Sequence, residues 1–155
     1  MLNLSGNTDL KLTEVFEAIP NPEKLEVLIL DRLYLKSVPK TILRFRNLKH
    51  LSLNFNPAID LEKTCITIKK LPLEFLNLQY NNLKALPITI ESIQTLKAIN
   101  TSHNRVSNSK NFQILGALPN LESFWLTDNN ICKLPEEIAV LTSLRNLYIE
   151  NKSII

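Results

Sequence analysis

Glycine is almost absent: the chain has two in 155 residues. Glycine-rich phosphate cradles are therefore excluded, and neither G-x-G-x-x-G nor G-x-x-x-x-G-K occurs. The turns must be built by another residue. Asparagine is abundant, and its side chain bonds nearby backbone and tolerates left-handed geometry. Cysteine is scarce too. Cys65 and Cys132 lie far apart, without C-x-x-C or histidine spacing, which speaks against a zinc site. Two free thiols, with Cys65 buried, are the expected state; a disulfide is the alternative. No apolar run approaches the roughly 20 residues of a membrane span. No export signal is visible in the opening "MLNLSGN", which reads as strand and turn. H-E-x-x-H and G-x-S-x-G are missing, so the chain reads as non-enzymatic, with no cofactor and no metal.

What is present is a well-mixed globular composition, 45% hydrophobic and 21% charged, enough to bury a core. The net charge of +3 is mild and its basic residues are dispersed, which gives no nucleic-acid footprint.

The chain also repeats itself, which decides the architecture. Units start near Met1 and at Leu25, Leu48, Leu73, Leu96, Leu121 and Leu144, the last one partial. They share L-x-x-L-x-L-x-x-N-x-L, as in "LEVLILDRLYL", "LEFLNLQYNNL" and "LESFWLTDNNI". Spacing alternates between 23 and 25 residues. The short units carry Val38-Pro39, Leu86-Pro87 and Leu134-Pro135; the long ones instead place Pro72 or Pro119 just before the next strand. The underlying period is therefore read as a pair of 48 residues, a duplicated two-unit block.

This pattern resembles the leucine-rich repeat family, over about residues 1–155, and its short units look like the 23-residue class common in bacterial members. The resemblance implies one α/β domain: a solenoid bent into a horseshoe arc, with a parallel concave sheet of about seven strands. Its convex side would be made of short 3₁₀ or helical turns and loops. Leucines at positions 1, 4, 6 and 11 of each unit should stack inward, because one unit cannot bury its apolar face alone. Asn7, Asn56, Asn81, Asn104 and Asn129, at position 9, should form a column that satisfies backbone groups leaving the strands. Leu33 and Lys152 interrupt that column, so altered turns are expected in those two units. "TEVFEAI" reads as a short helix, and proline at the start of "PKTILRF", "PITIESI" and "PEEIAVL" suits a first helical position.

Position 2 alternates in sign without a break: Glu26, Lys49, Glu74, Lys97, Glu122, Arg145. On adjacent strands these residues would attract one another and penalise a slipped register. An intramolecular ladder is the reading preferred over an ionic binding strip.

Positions 3, 5, 7 and 8 face outward from the sheet and carry any specificity. Trp125 and Tyr148 share position 5 on adjacent strands, so their rings should touch. His50, Phe55, Phe75, Tyr80 and His103 gather in the middle units, and Asn and Ser separate the two groups. Outward aromatics on a rigid scaffold are typical interface anchors. The partner-binding residues expected on the concave face are Ile29, His50, Phe55, Phe75, Tyr80, His103, Trp125 and Tyr148. Cross-strand packing is the competing explanation for the aromatics. His50 and His103 fall two units apart at different positions, too distant to share a metal.

The expected ligand is a protein or peptide, as for most family members. Bacterial relatives are linked to surface and host contact. An intracellular signalling scaffold, a carbohydrate-binding module and the recognition domain of a larger protein are the alternatives. Sequons at Asn3, Asn100 and Asn151 are expected to go unused, since two would plant a glycan on the inner face. The apolar ends suggest an end-to-end homodimer, a longer solenoid, or short caps with Ile154 and Ile155 folded back.

Overall fold

A computed structural model of the chain describes residues 1–151. Seven strands pair in chain order into one parallel sheet: β1 (Leu2–Asn3), β2 (Val27–Ile29), β3 (His50–Ser52), β4 (Phe75–Asn77), β5 (Ala98–Asn100), β6 (Ser123–Trp125) and β7 (Asn146–Tyr148). The register follows the repeat. Leu28 lies beside Leu51, Leu51 beside Leu76, Leu76 beside Ile99 and Ile99 beside Phe124, so position 4 always meets position 4. These residues are fully buried, and a slip by one residue would turn them out to solvent.

The alternation of unit lengths becomes an alternation of secondary structure. Long units return through α-helices: α1 (Leu12–Ala18), α2 (Leu61–Ile68) and α3 (Ser109–Gly116). Short units return through 3₁₀ turns at Lys40–Arg44, Ile88–Ser92 and Glu136–Val140. The longer units fit helices of eight residues in α2 and α3, where the short ones hold 3₁₀ turns of five. Asp60 and Asn108 cap α2 and α3, each side-chain oxygen accepting from a backbone N–H, of Lys63 and Lys110 respectively, at 2.9 Å. Pro39, Pro87 and Pro135 do not occupy the first helical position. They stand one residue earlier, where the proline carbonyl accepts the first bond of the turn, from Ile42, Ile90 and Ile138.

Helices and 3₁₀ turns of adjoining units pack edge to edge. Phe16 of α1 meets Phe45 at 5.0 Å between ring centroids. Arg44 donates to the last carbonyls of α1, those of Phe16, Glu17 and Ile19, where helix carbonyls lack partners and a cation is favoured. Gly116 ends α3 against the next unit; a Cβ there would lie 2.6 Å from Val140 Cγ2.

The asparagine column forms. Asn104 donates to the carbonyls of Leu78, Thr101 and Ser102, and its Oδ1 accepts from the N–H of Asn81 and Leu83. Asn7, in the first unit, bonds only its own turn, but Asn56 and Asn129, like Asn104, serve both their own turn and the preceding unit's. That geometry explains why Leu33 does not disturb its turn, contrary to expectation. Oδ1 of Asn56, one unit on, accepts from Leu33 N and Leu35 N at 3.2 and 3.0 Å, and Arg32 and Tyr34 keep the usual left-handed backbone. Lys152, Ile154 and Ile155 lie outside the described residues.

Position 11 needs one correction. Ala58 is exposed, and Ile59 fills the core place instead. Tyr34, Asn82 and Asn130 take positive φ at position 10, and Pro57 is ring-locked at negative φ; Arg105, at the same position of the other long unit, also lacks positive φ, yet Val106 stays buried at position 11.

Candidate functional site

The sheet's exposed face carries two aromatic rows separated by a polar strip. The first row runs across the strands at positions 3 and 5. Trp125 and Tyr148, cross-strand partners on β6 and β7, stack at 5.0 Å with planes 4° apart. His50 meets Phe75 edge-on at 6.0 Å. Trp125 also reaches Phe75, at 6.0 Å between centroids, although β5 lies between them. The two aromatic groups are therefore joined rather than separated. Ala98, the cross-strand partner of both Phe75 and Ser123, has too short a side chain to keep the rings apart.

The second row runs along the rim at position 8. Six successive turns there are left-handed: Gly6 at φ 76°, then Arg32 at 55°, Phe55 at 55°, Tyr80 at 56°, His103 at 56° and Asp128 at 53°. For a residue with a Cβ this conformation costs about 1–2 kcal/mol. The geometry puts identical positions of adjacent units face to face. The Arg32 guanidinium carbon sits 4.4 Å from the Phe55 ring centre. Phe55 stacks on Tyr80 at 4.3 Å and 7°, and Tyr80 on His103 at 4.1 Å and 9°. His103 Nδ1 closes the row on Asp128 Oδ2 at 3.1 Å. Aromatic pairs are worth about 0.5–1.5 kcal/mol beyond their burial, which offsets part of the backbone cost.

The strip between the rows is a fixed hydrogen-bonded mesh. Asp31 accepts from Ser52 Oγ at 2.7 Å and from Asn54 N at 2.9 Å, and Asn54 Oδ1 accepts from Gln79 N at 2.9 Å. Ile29, His50 and Phe75 border a shallow depression of about 300 Å³ over this mesh, with Asp31 and Asn77 in its walls.

The structure thus splits the middle-unit cluster expected from sequence. His50 and Phe75 join Trp125 and Tyr148 in the first row. Phe55, Tyr80 and His103 form the second, and Ile29 lines the depression. Sequence reasoning passed over Arg32 and Asp128, which end the rim row. Their signal was the shared position 8, whose left-handed backbone is not written in residue type.

The charge ladder along position 2 closes as discrete pairs: Lys49 Nζ to Glu26 Oε1 and Lys97 Nζ to Glu74 Oε2, both at 2.9 Å. The bond to Glu26 raises the Lys49 ammonium above its ordinary range, and the bond from Lys97 holds the Glu74 carboxyl below its own. Both pairs stand in solvent and help to set register. Among the described residues no cluster of His, Cys, Asp and Glu is arranged to hold a metal ion, and no helix is long and apolar enough to cross a membrane.

No protein-family model matches the chain. Chaoptin of Tribolium castaneum is 35% identical over 134 residues, covering 77% of this chain and 16% of chaoptin. Adenylate cyclase of Schizosaccharomyces pombe is 27% identical over 135 residues, covering 86% of this chain and 7% of the cyclase. Among solved structures, a leucine-rich repeat protein of Leptospira interrogans superimposes with a TM-score of 0.69 at 29% identity, over 92% of this chain and 35% of its own. This chain spans well under half the length of each of these proteins.

Proposed function

The chain is a leucine-rich repeat protein, and from that premise we propose that it binds a protein or peptide on the concave face of its sheet, by contact and without catalysis. The observation that carries this reading is the joined first row, His50–Phe75–Trp125–Tyr148. It is aromatic, outward-facing and mounted on paired strands, so a partner meets a surface that needs little ordering. Tyr148 is 46% exposed, which leaves ring area for a partner. The likeness to a Leptospira protein supports a bacterial setting; a surface or host protein as partner is part of the proposal. Pairing of two copies through the edge strands β1 and β7 belongs to the same proposal; sedimentation velocity showing only monomer at micromolar concentration removes it.

The test is selection of a random displayed peptide library against the full chain. Selected peptides should lose affinity on Trp125→Ala and Tyr148→Ala and keep it on Ile66→Ser, a change on exposed α2 surface. Binding that survives both aromatic replacements overturns the sheet-face reading. Capture on a glycan array in place of peptides, lost on Trp125→Ala, points to carbohydrate instead.

A further inference from the structure

Tyr34 sits in the left-handed region at φ 52° and is 72% exposed. The same position of the other short units holds Asn82 at φ 56° and Asn130 at φ 57°, a residue type that accepts this conformation readily. Tyrosine pays for the backbone here and recovers little of the cost by packing within the chain. Such an outlier points to a use for the side chain outside the fold.

Tyr34 lines a pocket of about 510 Å³ at the rim, with Thr8, Arg32, Phe55, Pro57 and Tyr80 around it. The pocket has three aromatic rings, a proline, one cation and no acid in its wall. Phe55 supports the Arg32 guanidinium from one face, and a guanidinium held on a ring keeps its N–H edges free to donate. Asp31, the neighbour in sequence, does not neutralise it from the wall of this pocket. Its carboxylate is turned to the sheet strip, held by Ser52 and Asn54.

We propose that this rim pocket anchors an acidic side chain of a partner peptide, its carboxylate on Arg32 and an adjoining apolar residue between Tyr34 and Tyr80. Charge complementarity selects the carboxylate, and the rings select an apolar flank over a bare anion. The proposal rests on the reading of the chain as a peptide-binding module and adds the chemistry of one anchor, lying outside the Trp125 row.

The same displayed library tests it. Peptides selected on the full chain should be enriched in Asp or Glu beside an apolar residue. Changing that acid to its amide should weaken binding to the unaltered chain about tenfold and leave binding to Arg32→Gln unchanged. Tyr34→Asn should weaken the peptide while holding or raising the thermal midpoint, because asparagine suits the backbone; unfolding cannot then account for the loss. Failure to select any peptide, selected peptides without acids, capture of sialylated glycans or inorganic phosphate alone, or indifference to both Arg32→Gln and Tyr34→Asn overturns the proposal. Loss on Trp125→Ala with no effect of Arg32→Gln or Tyr34→Asn removes this pocket and keeps the sheet-face reading. The opposite pattern keeps the pocket and removes the sheet face.

Discussion

Phe75 and Trp125 touch across an intervening strand, their ring centroids 6.0 Å apart. Two strand spacings would separate their backbones by about 10 Å, so the rings lean together above Ala98 of β5. The contact turns two local aromatic groups into one surface, and it rests on the smallness of a single residue.

That dependence is measurable. A double-mutant cycle of Phe75→Ala and Trp125→Ala should return a coupling of about 0.5–1.5 kcal/mol in urea denaturation. Ala98→Leu should push the rings apart and shift the emission of Trp125, the only tryptophan. Additive single replacements, or an unchanged spectrum, would show that the rings do not interact in solution.

Asn104 and Asn7 occupy the same position of different units but should differ in weight. Asn104 is buried and makes bonds to three carbonyls and two N–H groups. Replacing it by Ala strands several buried backbone groups at about 1–3 kcal/mol each, so a loss of at least about 3 kcal/mol is expected. Asn7 is exposed and bonds only the carbonyls of Leu4 and Ser5; Asn7→Ala should cost under about 1 kcal/mol, since water replaces its bonds. Equal losses in chemical denaturation would contradict the column's structural role.

The two thiols should behave differently. Burial among apolar neighbours pushes the Cys65 thiol up to about 12, whereas Cys132 is exposed. At pH 8 a thiol-reactive chromophore should titrate one group in the native chain and a second only after denaturant is added. The raised value favours the folded state while both forms stay protonated. That contribution is complete below the unfolded thiol's range and declines as pH rises from about 9 towards 12, by a few kcal/mol on an order-of-magnitude scale. Rapid labelling of both cysteines would show that the core opens locally around α2.

Glu74 offers the opposite sign. Its carboxyl is held below the ordinary range by Lys97, so its contribution to folding is present above the unfolded carboxylate's range and fades as pH falls through the folded one. Carboxyl-resolved NMR titration should find Glu74 low in the native chain and restored towards the ordinary value by Lys97→Met.

Residue spacing alone determined the repeat, the strand register, the inward stack at positions 1, 4 and 6, and the alternation of unit lengths. These features obey local rules: an apolar period that must be buried and a strand length that must match its neighbour's. The partnership of Trp125 with Tyr148 was legible for the same reason, because equal positions on adjacent parallel strands must meet. Tertiary structure alone decided the rest. Position 8 is left-handed in every described turn from Gly6 to Asp128, whatever residue stands there, because the solenoid imposes one path on all the turns. That path makes a single row of Arg32, Phe55, Tyr80, His103 and Asp128. Ala98 lets Trp125 reach Phe75, and Ile59 rather than Ala58 enters the core. Each of these outcomes depends on what lies one unit away in space, some two dozen residues distant in the chain, where no local pattern reports it.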